Sequence, residues 1–158
     1  MPHDVTLRAV EPADLPLFFA HQRDPVAVDL VGFQSREREA FMAHWTNNVL
    51  GNPANTTRTI LCDGVVAGNI GAWTDADSGE RLVGYWLGRE WWARGIASAA
   101  IAQFLRVEIT RPLTARVAKH NAASQRVLAK NGFVCAGEDA FALADGLRLE
   151  EFVFSRSA

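Results

Sequence analysis

The sequence predicts one α/β domain over residues 1–158, a mixed central sheet of about seven strands with helices on both faces. Three observations carry this reading. Strand-like runs pass directly into helices at two junctions, 87–105 and 113–133. Two Asp-Gly pairs, Asp63-Gly64 and Asp145-Gly146, join strand-like runs as hairpin turns. About half of the 158 residues are apolar, enough for one core, and no linker, repeat or low-complexity segment interrupts them.

Taken in order, residues 5–10 read as a short strand and 12–22 as a helix with Leu15, Phe18 and Phe19 turned inward. Residues 25–33 read as loop with a helical turn. A helix over 35–50, capped by Ser35, carries Phe41, Trp45 and Val49 at four-residue spacing and stops at 51–55. Strands 57–62 and 65–73 flank Asp63-Gly64, and 75–80 is a polar turn. Strand 82–87 leads through the Arg94-Gly95 turn into a helix over 96–105. Strand 113–118 leads to Asn121, a helix cap, and the helix ends at Gly132-Phe133, as a left-handed glycine followed by an apolar contact would end it. Strands 133–142 and 147–154 close the chain around Asp145-Gly146.

Composition excludes several classes of protein. A formal net charge of −2 with no basic block argues against nucleic acid as a partner. No stretch reads as a signal peptide or a membrane span, so a soluble, cytoplasmic protein is expected, either monomer or homodimer. Cys62 and Cys135 lack CxxC spacing and read as reduced, partly buried thiols. With His3, His21, His44 and His120 they show no metal-ligand spacing, so no metal is expected.

The chemistry concentrates at the first junction, LGREWWARGIASAAIAQFL. The opening N–H groups of a helix have no partner within it and lie at its positive end, where they can hold a phosphate. Gly95, Ala97 and Ser98 are small enough to let a diphosphate approach the backbone. WARGIA, Trp92 to Ala97, resembles the pyrophosphate loop of the GCN5-related N-acetyltransferases (GNAT), with Trp92 where Gln or Arg is usual. LTARVAKHNAASQRVLAKNGF resembles the second motif of a subgroup that acetylates protein N-termini, including those of ribosomal proteins, through Asn121, Ser124, Gly132 and Phe133.

This resemblance covers nearly the whole chain. It implies the GNAT fold, in which the strand before the loop and strand 113–118 splay apart to hold acyl-CoA. It implies acetyl-CoA as cosubstrate, held by Trp86, Leu87, Trp92, Ala93, Arg94, Gly95, Ile96, Ala97, Ser98, Asn121 and Ser124, and an amine as acceptor. The departures from the pattern matter equally. Family members commonly carry a Tyr four residues before the helix-closing glycine to protonate the leaving thiolate, and Leu128 stands there. Ser124, one turn earlier, is either the substitute donor or only a cap partner of Asn121. Leu82 stands where the subgroup has Glu. Glu80 is then the nearest candidate base or else a solvated turn residue, with Asp77, Glu90 and Glu138 as further carboxylates. Trp73, Trp86, Trp91 and Trp92 are expected around the cleft, with Trp73 and Trp86 read as core and Arg89 and Arg94 as added charge near the phosphates. The reading is an N-acetyltransferase acting on a peptide N-terminus or small-molecule amine. The missing Tyr and Glu leave a non-catalytic acyl-CoA-binding module as the alternative.

Overall fold

The computed structural model describes residues 3–31, 36–142 and 148–158. Its strands are β1 (Val5–Arg8), β2 (Thr56–Cys62), β3 (Val65–Thr74), β4 (Arg81–Leu87), β5 (Leu113–Ala118), β6 (Val134–Ala142) and β7 (Arg148–Arg156). They form one seven-stranded sheet in the order β1-β2-β3-β4-β5-β7-β6. Among the described residues, only β4 and β5 run parallel; every other pair is antiparallel. The helices are α1 (Leu15–Gln22), α2 (Pro25–Val31), α3 (Arg38–Ala43), α4 (Ile96–Val107) and α5 (Ala122–Lys130).

Alternation along β2 shows why both sheet faces are covered. Ile60 joins the main core with Ile96, Ala100, Ile101 and Phe104 of α4. Its neighbour Thr59 points to the opposite face, where its hydroxyl donates to Asp14 at 2.7 Å. Asp14 ends a 3-10 turn, Pro12–Asp14, that leads into α1, and Arg8 grips its carboxylate with two N–H groups at 2.7 and 2.9 Å. A second cluster of Leu15, Phe18, Phe19 and Phe41 ties α1 to α3.

Turn chemistry sets the hairpin and the second junction as expected. Asp63 and Gly64 both have positive φ, 51° and 82°, as a two-residue hairpin turn requires. At the end of α5, Gly132 has φ 83°, and the N–H of Phe133 returns to Leu128 O while that of Gly132 returns to Ala129 O. The Asp145-Gly146 turn lies outside the described residues.

Several boundaries differ from the sequence reading. β1 ends at Arg8 rather than residue 10, because its pairing with β2 stops there. Residues 25–31 form a helix rather than a loop with one turn. Ser35, expected as a cap, lies outside the described residues; α3 starts after Glu37 and relaxes into a π-helical turn, His44–Val49. Trp73, read as core, is 42% exposed.

Candidate active site

Splaying of the sheet creates the site. β4 and β5 pair only at Arg81–Leu113 and Leu82–Thr114, then diverge. A cavity of about 590 Å³ opens in the gap, lined by both strands, the loop before α4, and α5. Its rim includes Arg126 and Lys130, two cations one helical turn apart that the sequence reading did not single out.

The loop at the mouth is tightly coiled. Gly95, at the N-terminal cap of α4, has φ 77°, and Ala93 has φ 59°. A left-handed alanine costs about 1–2 kcal/mol, strain of a kind that concentrates at functional loops. Ala97 and Ser98 line the cavity at the start of α4. Asn131 donates to the Ser98 hydroxyl at 3.2 Å and to its carbonyl at 3.3 Å, pinning α5 to this helix end. Ser98 keeps its own proton free to donate. The Trp92 indole donates to Leu87 O at 3.1 Å, so that carbonyl already has one partner. Trp86 also lines the cavity, and the Trp91 indole nitrogen is buried with no hydrogen-bond partner among the described residues. An orphaned donor, a helix N-terminus and small side chains together fit an acyl-CoA diphosphate and its arm.

Two expected cations are placed otherwise. Arg89 pairs with Asp24 at 3.0 Å, and Arg94 lies over the Trp91 ring at 5.7 Å, outside the cavity lining. Trp73 is not part of the lining either, and instead lies over Gly84. Gly68 is required by close approach, since a Cβ there would meet Trp86 O.

Polar groups meet in the gap. Asn121 caps α5, its side chain accepting from Ser124 N at 3.2 Å. The Ser124 hydroxyl accepts from Tyr85 Oη at 2.9 Å. Sequence reasoning missed Tyr85, a phenol that β4 brings to the cavity lining beside Ser124. Leu128 is 2% exposed, inside the core. Burial pushes the Tyr85 hydroxyl up from its ordinary value, and the Ser124 contact offsets part of that.

Glu80 does not reach the cavity. It pairs with Arg116 at 3.7 Å at the rim. Asp77 and Glu90 are exposed, and Glu138 pairs with Lys119 at 3.0 Å. Among the described residues, the carboxylate that lines the cavity is Glu151 on β7, 9% exposed. Burial raises its pKa, Arg116 lowers it, and Asp139 raises it further. A buried, shifted carboxyl in a cleft marks a candidate functional group.

The fold also assembles something spacing did not reveal. His3, Cys62 and Asp63 place potential ligand atoms within 4.8 Å of one another at the first hairpin, with Cys62 buried and Cys135 exposed. Among the described residues, no helix is long and apolar enough to cross a membrane.

Comparison with solved structures places this architecture among acetyltransferases. A provisionally named phosphinothricin N-acetyltransferase matches over 98% of both chains at 22% identity and TM-score 0.82. RimL, a ribosomal alpha-N-protein acetyltransferase, matches at 19% identity and TM-score 0.75, covering 98% of this chain and 90% of that one. AAC(6')-Ib in complex with paromomycin and acetyl-CoA matches at 15% identity and TM-score 0.77, covering 98% and 93%. A comparison with curated proteins found no match. The acetyltransferase (GNAT) domain model matches residues 4–134, so the chain belongs to the GNAT family and is an acyltransferase.

Proposed function

We propose that the protein transfers an acetyl group directly from acetyl-CoA to a primary amine, of a small molecule or a peptide N-terminus. One observation carries this reading. A hydroxyl pair, Tyr85–Ser124, and a buried carboxyl, Glu151, line the same cavity. Acetyl-CoA supplies the activated thioester; the chain supplies position and proton handling.

The N–H groups at the start of α4 and the Ser98 hydroxyl hold the diphosphate, with Arg126 and Lys130 adding positive charge at the rim. Glu151 accepts the proton an ammonium must lose before it can attack, and its burial makes it a better base than an exposed carboxylate. The Ser124 hydroxyl donates toward the departing sulfur while Tyr85 donates to Ser124, so the two act in series. Asn121 fixes the turn that presents Ser124. Tyr85 and Glu151 offer groups in place of those missing at Leu128 and Leu82, which supports a catalytic reading over a non-catalytic module. The subgroup resemblance of Asn121 and Ser124 keeps peptide N-termini within the proposal.

Acetyl-CoA at a hundred times its dissociation constant should stabilise the fold by about 2.7 kcal/mol, whereas acetate should not. Ala97→Asp should abolish that shift, because a carboxylate would face the diphosphate. Thiol release with an amine panel reports turnover. An unchanged melting temperature at millimolar acetyl-CoA would overturn the reading.

A further inference from the structure

Strand register separates the two mouths of the cavity. Tyr85 reaches α5 on one face of the sheet, so its neighbours Gly84 and Trp86 point to the other. The parallel pairing of Leu82 with Thr114 puts Arg116, two residues on, on this second face with Gly84. Ala118 pairs with Glu151, and Glu151 with Asp139, so both carboxylates share it. Arg116 bonds Asp139 at 2.7 Å and pairs with Glu80 at 3.7 Å. Among the described residues, two carboxylates therefore share one guanidinium and a third, Glu151, lies on the same face, an excess of two negative charges.

Glu151 is the independent sign that this face awaits a cation. It is nine-tenths buried and lines the cavity, yet no hydrogen bond or ion pair reaches its carboxylate among the described residues. An unpaired carboxylate so placed is costly unless a ligand completes it. On the same face, the exposed Trp73 ring lies over Gly84 and offers an aromatic wall to an alkylammonium. The nearby Lys119 is already neutralised by Glu138.

We infer that the acceptor is a small diamine or polyamine, its reacting nitrogen at Glu151 and its second ammonium held by Asp139 and Glu80. This deepens the acetyltransferase reading and rests on it. β7 and β6 lie about 4.8 Å apart, close to the span of a three- or four-carbon chain between two nitrogens. An amino acid acceptor would bring its own anionic group against the excess of carboxylates. A simple monoamine would leave that excess uncompensated.

The test measures kcat/KM by thiol release for 1,3-diaminopropane, putrescine, n-propylamine, glutamate and a neutral tripeptide. A parallel thermal shift with acetyl-CoA shows whether the cosubstrate site works. The diamines should exceed n-propylamine by about tenfold or more, as expected for a hydrogen bond to a charged group. Asp139→Asn with Glu80→Gln should collapse that ratio toward one through KM for the diamine. Equal or better turnover of n-propylamine, glutamate or the tripeptide would overturn the inference. So would acetyl-CoA stabilisation with no diamine turnover. Loss of the stabilisation itself would instead show that the acetyltransferase reading had failed.

Discussion

If Tyr85 and Ser124 act as one relay, deleting either hydroxyl should cost nearly as much as deleting both. Their oxygens are 2.9 Å apart, with Tyr85 as donor, so Ser124 can pass its own proton to the departing sulfur and take a replacement from Tyr85. Loss of a positioned proton donor typically lowers the rate about a hundredfold or more, equivalent to about 2.7 kcal/mol in the barrier. Tyr85→Phe and Ser124→Ala should each show that loss in kcat, and the double variant should fall no further. Independent hydroxyls would instead multiply to about ten-thousandfold. Each change removes one hydrogen bond between half-buried groups, about 1 kcal/mol, so the variants should stay folded. The acetyl-CoA KM should hardly move, since the Trp92–Ser98 loop is untouched. Thiol release at saturating cosubstrate gives kcat, and a melting curve for each variant checks folding. Multiplicative losses would refute the series arrangement. Full activity in Ser124→Ala would remove Ser124, and with it the relay, from the mechanism.

What the sequence made legible was short in range. The Asp63-Gly64 turn, the Asn121 cap, the Gly132 helix end and the Gly95 junction each depend on a few adjacent residues, and each stands where the pattern put it. The residues that escaped depend on strand register. Glu151 reaches the cavity only because β7 lies between β5 and β6, an order that local periodicity does not reveal. A signal existed nonetheless: in LEEFVF, Glu151 alternates in phase with Leu149 and Val153, which puts a carboxylate among apolar positions. Tyr85, the single tyrosine of the chain, likewise shares its phase with Val83 and Leu87. The Glu80 expectation failed because proximity along one strand said nothing of Arg116, which holds that side chain at the rim. The His3, Cys62 and Asp63 cluster needed the β1–β2 pairing, which sets Val5 opposite Cys62.

Three further outcomes follow from the geometry. Arg8 holds the Asp14 carboxyl at about 2 rather than 3.8, so its contribution is present above the usual carboxylate range and lost as pH falls toward 2. Asp14→Asn should cost about 2 kcal/mol at neutral pH by denaturant titration and flatten the acid limb of the stability curve; an unaltered limb would refute this. Gly68→Ala should destabilise the protein by about 2 kcal/mol or more and weaken acetyl-CoA binding, because the new methyl displaces Trp86 at the cavity wall. Wild-type melting and binding in that variant would show the contact to be relieved at no cost. Glu151→Gln should separate stability from activity. Burial raises the Glu151 pKa above its unfolded value, so its contribution to stability is present at low pH and lost as pH rises through the folded value. A neutral amide escapes that loss, and the melting temperature at neutral pH should rise. The same change removes the proposed base, so turnover should fall about a hundredfold or more, and the acidic limb of kcat/KM due to Glu151 should disappear. A stabilised variant with wild-type turnover would leave Glu151 a strained bystander, whereas loss of both would mark it as structural; only a rise in one with a fall in the other fits a carboxyl kept buried for its chemistry.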